Sequence, residues 1–317
     1  PGRRDLYRAA SGKIMEELHR ICAVVEQVSI DEAFLDVSGA IRQVGSPVDI
    51  AALIRHRIAT RVGVPASVGI ATRTHVAKLA STFAKPNGML LVASDHTIAF
   101  LHSLPIAALP GVGPRAQAVL EKHGIVMARD LLAVTHQRLS RWLGANHALR
   151  LRQLVEGREL RGIQPHRQEK SVSKERTFQG NLTSRTQLAT ELIDQAHALA
   201  RRLRSLGLVG GGVAIKVRFA DFRTLTRSRA LSHPTDVGAV IAATAKDLLA
   251  EVHIPAAGVR LIGCRVEGLH ERAQGVQLAI GEKTNVRKAE AVADAIAQRF
   301  GPKTIRPARL ISPDSCQ

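Results

Sequence analysis

Two adjacent carboxylates, Asp31 and Glu32, split a β-rich apolar run that extends from Val24 to Val37. Val24, Val25, Val28 and Ile30 lead in, and Ala33, Leu35 and Val37 alternate on the way out, the pattern of a half-buried strand. Two short strands joined at the acids are therefore expected. Hard divalent cations take oxygen ligands, and rigid strands fix ligand positions better than loops do, so the pair is a candidate metal site. Spacing alone favours a plainer outcome, a solvated turn, because short acidic pairs are common at turns.

The surroundings of this run alternate helix and strand. Residues Arg3 to Cys22 have a helical stripe of Leu6, Ala10, Ile14, Leu18 and Ile21. After Ser38-Gly39, Ser46-Pro47 has the form of an N-cap with proline in the first turn, opening a helix with Ile50, Ile54 and Ile58. Ala66 to Ala71 is a short strand. A helix capped by Thr72 runs to about Ala84, and Pro86-Asn87-Gly88 stops it before a strand at Met89–Val92. This order predicts an α/β sandwich of one sheet and two helices. Lys78 and Lys85 fall where they could reach an anion above the strand edge holding Asp31, although physics alone does not single them out.

Residues 94 to about 160 change character: short helices without convincing strands. Within them, Leu109-Pro110-Gly111-Val112-Gly113 followed by Pro114 has the form of a helix–hairpin–helix. Two glycines allow a tight turn that leaves amides free at a helix N-terminus, a setting suited to one phosphate oxygen. The balance of charge supports that reading. The 317 residues carry 45 Lys+Arg against 27 Asp+Glu, a net +18, which points to a polyanionic partner. Aromatics make up only 3%, which argues against base stacking and for contacts to the phosphate backbone.

Gly157 to Gln168 reads as a linker. Beyond it the expected elements are a strand at Ser171–Phe178, a helix opened by a capping box at Ser184–Gln187, strands at Gly212–Ala220 and Phe222–Leu231, a helix from Pro234-Thr235 to about Val252, and a strand at Val259–Leu269. The order β-α-β-β-α-β is the split arrangement of ferredoxin-like domains, four antiparallel strands under two helices. One sheet face must then be free. Lys216 and Arg218 would lie on it, with Arg223, Arg227 and Arg229 nearby on a neighbour whose facing the sequence leaves open, because Leu225 shares their parity. Residues 165–270 hold sixteen Lys/Arg and nine Asp/Glu, a further surplus for a duplex backbone. In the tail, Gln274 to Ile280 is a short segment of the sort that docks as an extended peptide, and Val286–Phe300 is a helix with Ala289, Val292, Ala293 and Ile296 on one face.

No apolar run reaches about 18 residues, so no membrane span is expected. Cys22, Cys264 and Cys316 stand far apart without CxxC or Cys/His spacing, which fits a reducing cytoplasm.

Together these segments resemble the Y-family, lesion-bypass DNA polymerases, nearest their DNA polymerase IV branch. Ser29-Ile30-Asp31-Glu32-Ala33-Phe34-Leu35-Asp36 is similar to the palm signature of that family, as are Ser67-Val68-Gly69-Ile70 and Ala84-Lys85-Pro86-Asn87-Gly88 to two more palm segments. Leu109 to Gly113 resembles its thumb hairpin, and Phe219-Ala220-Asp221-Phe222-Arg223-Thr224 its little-finger hairpin. Five motifs in family order reverse the preference for a plain turn.

The resemblance implies an α/β (α+β) multidomain chain: palm with a mixed sheet at 1–93, all-α thumb at 94–160, linker at 161–170, little finger at 171–270 and tail at 271–317. It implies error-prone, template-directed synthesis past lesions, adding dNTPs to a primer 3′-hydroxyl through two magnesium ions. Asp31 matches the carboxylate bridging both ions, Glu32 the one beside the attacking hydroxyl, and Lys85 the lysine on the triphosphate. Gly111, Val112, Gly113, Lys216, Arg218, Arg223, Arg227 and Arg229 would meet primer–template DNA. Gln277-Leu278 has the form of a degenerate sliding-clamp peptide. A cytoplasmic monomer is expected. The family palm also begins with a strand bearing another metal-binding aspartate, followed by fingers with a Tyr/Arg pair, and nothing after Pro1 supplies these. The expectation is therefore an incomplete form, inactive when taken alone, with a non-catalytic DNA-binding remnant or pseudo-polymerase as the alternative.

Overall fold

In the computed structural model, which describes residues 3–158, 162–165, 169–272, 284–301, 304–305 and 307–310, helix α1 (Arg4–Ile21) leads into an antiparallel hairpin. The inward face of α1 is Ser11, Met15 and Leu18, and residues 3–9 are all exposed, so Leu6 on the expected stripe faces solvent. The hairpin pairs β1 (Val24–Gln27) with β2 (Ala33–Asp36), setting Val25 opposite Leu35. After the short α2 (Ile41–Val44), α3 (Pro47–Val62) starts from a capping box: Ser46 accepts from the Asp49 amide, and Asp49 accepts from the Ser46 amide. Ile50, Ile54 and Ile58 of α3 are buried with Met15, Leu18, Cys22 and Val25 in one core.

Strands β3 (Val68–Ile70) and β4 (Met89–Leu91) pair in parallel across the crossover helix α4 (Thr74–Phe83). The expected single sheet is thus two separate two-stranded ladders, joined by side chains rather than backbone bonds, since Ala66 and Val68 pack on the same core as Leu35. Helix α4 begins two residues beyond Thr72, with Arg73 at its N-cap. Helices α5 (Thr97–His102), α6 (Pro114–Lys122), α7 (His136–Leu143) and α8 (Ala145–Val155) follow, as expected without strands. Their core continues into α4 through Val76, Leu79 and Ala80 and to Leu90 of β4 and Val92 just beyond it, so the composition change near Ser94 is no gap in packing.

The chain divides into two compact units at Arg167/Gln168. In the second, β5 (Ser171–Leu182), α9 (Arg185–Ser205), β6 (Leu208–Phe219), β7 (Thr224–Thr235), α10 (Gly238–Ala250) and β8 (Val259–Glu271) give the expected β-α-β-β-α-β order. The four antiparallel strands lie in the order β5-β8-β6-β7, so each helical crossover skips one strand. Leu188, Leu192, Ala196, Leu199 and Leu203 of α9 bury against Val213, Ile215, Val217, Ile262, Cys264 and Val266. Pro234-Thr235 ends β7 instead of opening α10. An edge strand tolerates a proline without an N–H.

Helix α11 (Thr284–Phe300) meets the expected facing only in part: Ala293 and Ile296 are half-buried beside the buried Ala297, but Ala289 is exposed. Val292 is 60% exposed, while Arg287, Glu290 and Asp294 turn toward the domain. Glu290 accepts from the Gly238 and Ala239 amides and so caps α10. The segment with Gln277 and Leu278 lies outside the described residues. Among the described residues, no helix is long and apolar enough to cross a membrane.

Candidate active site

Asp31 and Glu32 occupy the exposed tip of the β1–β2 hairpin, closed by the Val28 and Ser29 amides donating to the Glu32 carbonyl at 2.9 and 3.2 Å. The Ser29 hydroxyl donates to Asp31 Oδ1 at 2.6 Å and accepts from the Asp31 amide at 3.3 Å, which fixes the loop and the first carboxylate together. Asp36 is not part of this pair. It lies four residues further on, about 13 Å along an extended strand, and its carboxyl is held below the usual range by hydrogen bonds from Ser38.

The opposite wall is α4, brought close by two glycines. A Cβ on Gly69 would meet the Ala77 carbonyl oxygen at 1.9 Å, and one on Gly88 the Ala84 carbonyl oxygen at 2.3 Å. Helix and strands therefore touch backbone to backbone. From that position Lys78 Nζ donates to Glu32 Oε2 at 2.5 Å. The turn after α4 is tied down by Arg55 of α3, which donates to the Ala66 carbonyl at 3.1 Å, to Asn87 Oδ1 at 3.0 Å and to the Asn87 carbonyl. Lys85 stands exposed on that turn, and among the described residues it has no ion-pair partner.

The donor set suits a hard divalent cation. One oxygen of each acid is engaged, by Ser29 and Lys78, and among the described residues the second oxygen of each has no protein partner. No group of three or more His, Cys, Asp or Glu able to hold a metal gathers among the described residues. An ion here would complete its shell with water and substrate oxygens, as magnesium commonly does.

Residues 1–82 match the impB/mucB/samB family model, and residues 169–280 match the model of that family's C-terminal domain. A DNA polymerase IV of Desulfatibacillum aliphaticivorans is 36% identical over 316 residues, covering 98% of this chain and 80% of the relative. This chain belongs to the Y-family of DNA polymerases. A DNA polymerase IV of Streptomyces coelicolor is 37% identical over 274 residues, covering 86% of this chain and 57% of the relative. Among solved structures, a Y-family DNA polymerase chimera superposes with a TM-score of 0.76 at 24% identity, over 86% of this chain and 78% of that one. An insertion ternary complex of Dbh DNA polymerase gives 0.60 at 22%, over the same shares. As a Y-family member the protein is a DNA-directed DNA polymerase of the translesion kind, and its family depends on divalent metal.

The helix–hairpin–helix expected in the first unit keeps its glycine turn and its second helix, while its first helix is only a three-residue turn. A 3-10 turn at Ile106–Ala108 leads to Gly111 at φ +95°, then α6 starts at Pro114. The Gly111 and Gly113 amides have no backbone partner among the described residues, and Gly113, Pro114, Arg115 and Ala116 line a shallow concavity. On α8, Arg152 is committed inward, donating to the Leu131 and Val134 carbonyls at 3.0 and 2.7 Å.

In the second unit the register settles which cations share the free sheet face. Lys216 and Arg218 stand on it with Thr224, Thr226 and Ser228 opposite. Arg265, which pairs across with Ala214, joins them; sequence reading missed it because only strand register puts it there. Arg227 and Arg229 have the parity of Leu225 and share the helix side of the sheet, and Arg229 bonds Glu251, the C-cap of α10, at 2.6 Å. Arg223 lies in the hairpin tip, over the Phe219 ring. The face is less basic than expected, since Glu175 pairs with Lys216 at 2.9 Å and Glu267 with Arg265 at 2.7 Å. Lys78, named with Lys85 as able to reach above the strand edge holding Asp31 but not singled out by spacing, meets Glu32 itself, a partner the sequence did not give.

Proposed function

We propose that Asp31 and Glu32 hold magnesium while the protein adds deoxynucleoside triphosphates to a primer 3′-hydroxyl on damaged template DNA. The observation carrying this is the free second oxygen of each carboxylate at an exposed tip facing a lysine-bearing helix. Bound there, magnesium would favour ionisation of the 3′-hydroxyl and offset charge on the triphosphate. Ser29 keeps Asp31 in one orientation. Lys85, carried on the turn that Arg55 anchors, would receive the triphosphate as a mobile point charge. The Gly111 and Gly113 amides at the start of α6 are suited to one backbone phosphate. In the second unit, Lys216, Arg218, Arg223 and Arg265 with the hydroxyls of Thr226 and Ser228 offer phosphate contacts blind to sequence. A cytoplasmic monomer that meets a sliding clamp through Gln277-Leu278 completes the reading.

Primer extension by the protein with Mg²⁺ and four dNTPs, beside Asp31→Asn and Glu32→Gln, tests it, and synthesis by the unsubstituted protein would also set aside the expectation of a form inactive when taken alone. Either substitution should reduce synthesis by about a thousandfold, the equivalent of roughly 4 kcal/mol, with DNA affinity unchanged. Synthesis at the unsubstituted rate in Glu32→Gln would overturn the assignment.

A further inference from the structure

The contact between Lys78 and Glu32 joins residues 46 apart in sequence, on the hairpin tip and on α4. Its partners are 41% and 47% exposed, and ion pairs that open to water add little to stability. Its effect therefore falls on Glu32 itself. The ammonium occupies Oε2 and puts a positive charge beside the Glu32 carboxylate, which a divalent cation would also approach. Nothing else in the described residues competes for the Asp31–Glu32 oxygens in this way, since Ser29 is neutral.

We infer that Lys78 is a positioning residue that holds Glu32 in place in the metal-free protein and sets the affinity of the pair for divalent metal. This rests on the reading of Asp31 and Glu32 as metal ligands. A cation at the free oxygen of Glu32 and the ammonium of Lys78 at Oε2 repel one another across one carboxylate, so binding works against the charge on Nζ. Gly69 and Gly88, by fixing α4 against the strands, hold Nζ within reach of the carboxylate. An arginine can take the same place; an uncharged side chain of similar length cannot.

Mn²⁺ binding to the protein, followed by calorimetry and by its electron paramagnetic resonance signal without DNA or nucleotide, provides the test. Lys78→Met should bind Mn²⁺ about threefold to tenfold more tightly, as removal of one neighbouring like charge requires. Lys78→Arg should keep the original affinity, and the melting temperature of both should not move. Equal or weaker binding by Lys78→Met, or no detectable binding by either protein, overturns the inference. If instead Asp31→Asn binds Mn²⁺ as well as the unsubstituted protein, the metal-site reading itself fails and Lys78 falls with it.

Discussion

Gly69 and Ala77 touch backbone to backbone: a Cβ added at Gly69 would stand 1.9 Å from the Ala77 carbonyl oxygen and 2.3 Å from the Ser81 amide nitrogen. Neither neighbour is a flexible side chain end, so α4 must move to admit a methyl group. Gly69→Ala should therefore cost about 3 kcal/mol, at the upper end for overpacking, in urea unfolding. Because α4 carries Lys78, the same change should also pull Nζ away from Glu32. Gly39→Ala, where an added Cβ meets nothing within 4 Å, should stay within about 0.5 kcal/mol.

Asp236 is the charge around which α11 is docked. Its side chain is 3% exposed; Arg287 reaches both carboxylate oxygens at 2.8 and 2.9 Å, and Arg272 adds a bond at 2.9 Å. Asp236→Asn leaves two guanidinium groups facing a neutral amide, a break that typically costs about 3 kcal/mol or more. The expected result is a lower unfolding midpoint and faster amide exchange along α11. Unchanged exchange in α11 would mean that Ala297 and the other packed residues, not these charges, hold the helix.

The contrast between α9 and α11 marks how far sequence pattern carries. In α9 the apolar period names the buried face, because a helix between a sheet and a second helix must bury a stripe. In α11 the apolar period names the buried face only in part, with Ala293 and Ile296 half-buried but Ala289 and Val292 exposed, because the domain surface it meets also presents Arg204 and Asp236. The same limit applies at the site. Asp31 and Glu32 are legible because alternation brackets them. Lys78 and Arg265 are not, since one depends on how closely Gly69 lets α4 approach and the other on strand register. Thr72 was misread as a cap and Pro234 as a helix start for a related reason: local signals place an end within a few residues, and tertiary partners such as Glu290 decide it.

His197 should make the second unit sensitive to acid. Burial lowers its pKa from 6.5, with Arg204 and Arg201 lowering it further against the opposing pull of Glu290 and Asp194. The folded state thus resists a proton that the unfolded chain accepts. Its contribution is complete above pH 6.5 and is lost as pH falls from there toward the folded value. Urea midpoints measured downward from pH 7.5 should decline through this window, and His197→Gln should flatten the decline. An identical slope in that variant would assign the sensitivity elsewhere.

Gly113 separates a folding role from a binding role in the thumb hairpin. Its φ of −88° and ψ of 175° are open to any residue, and a Cβ there would meet nothing within 4 Å. No folding reason for glycine is therefore present, in contrast to Gly111, whose φ of +95° strains any other side chain. If the glycine instead lets a backbone phosphate approach the amides at the start of α6, an added methyl group will stand in its way. Gly113→Ala should keep the unfolding midpoint to within about 0.5 kcal/mol while weakening duplex binding about threefold to tenfold. The loss of one phosphate contact should also make the salt dependence shallower by about one counterion. Gly111→Ala should lose about 1 kcal/mol of stability through left-handed strain, whatever its effect on DNA. Full DNA affinity in Gly113→Ala at low salt would remove the hairpin amides from the binding surface.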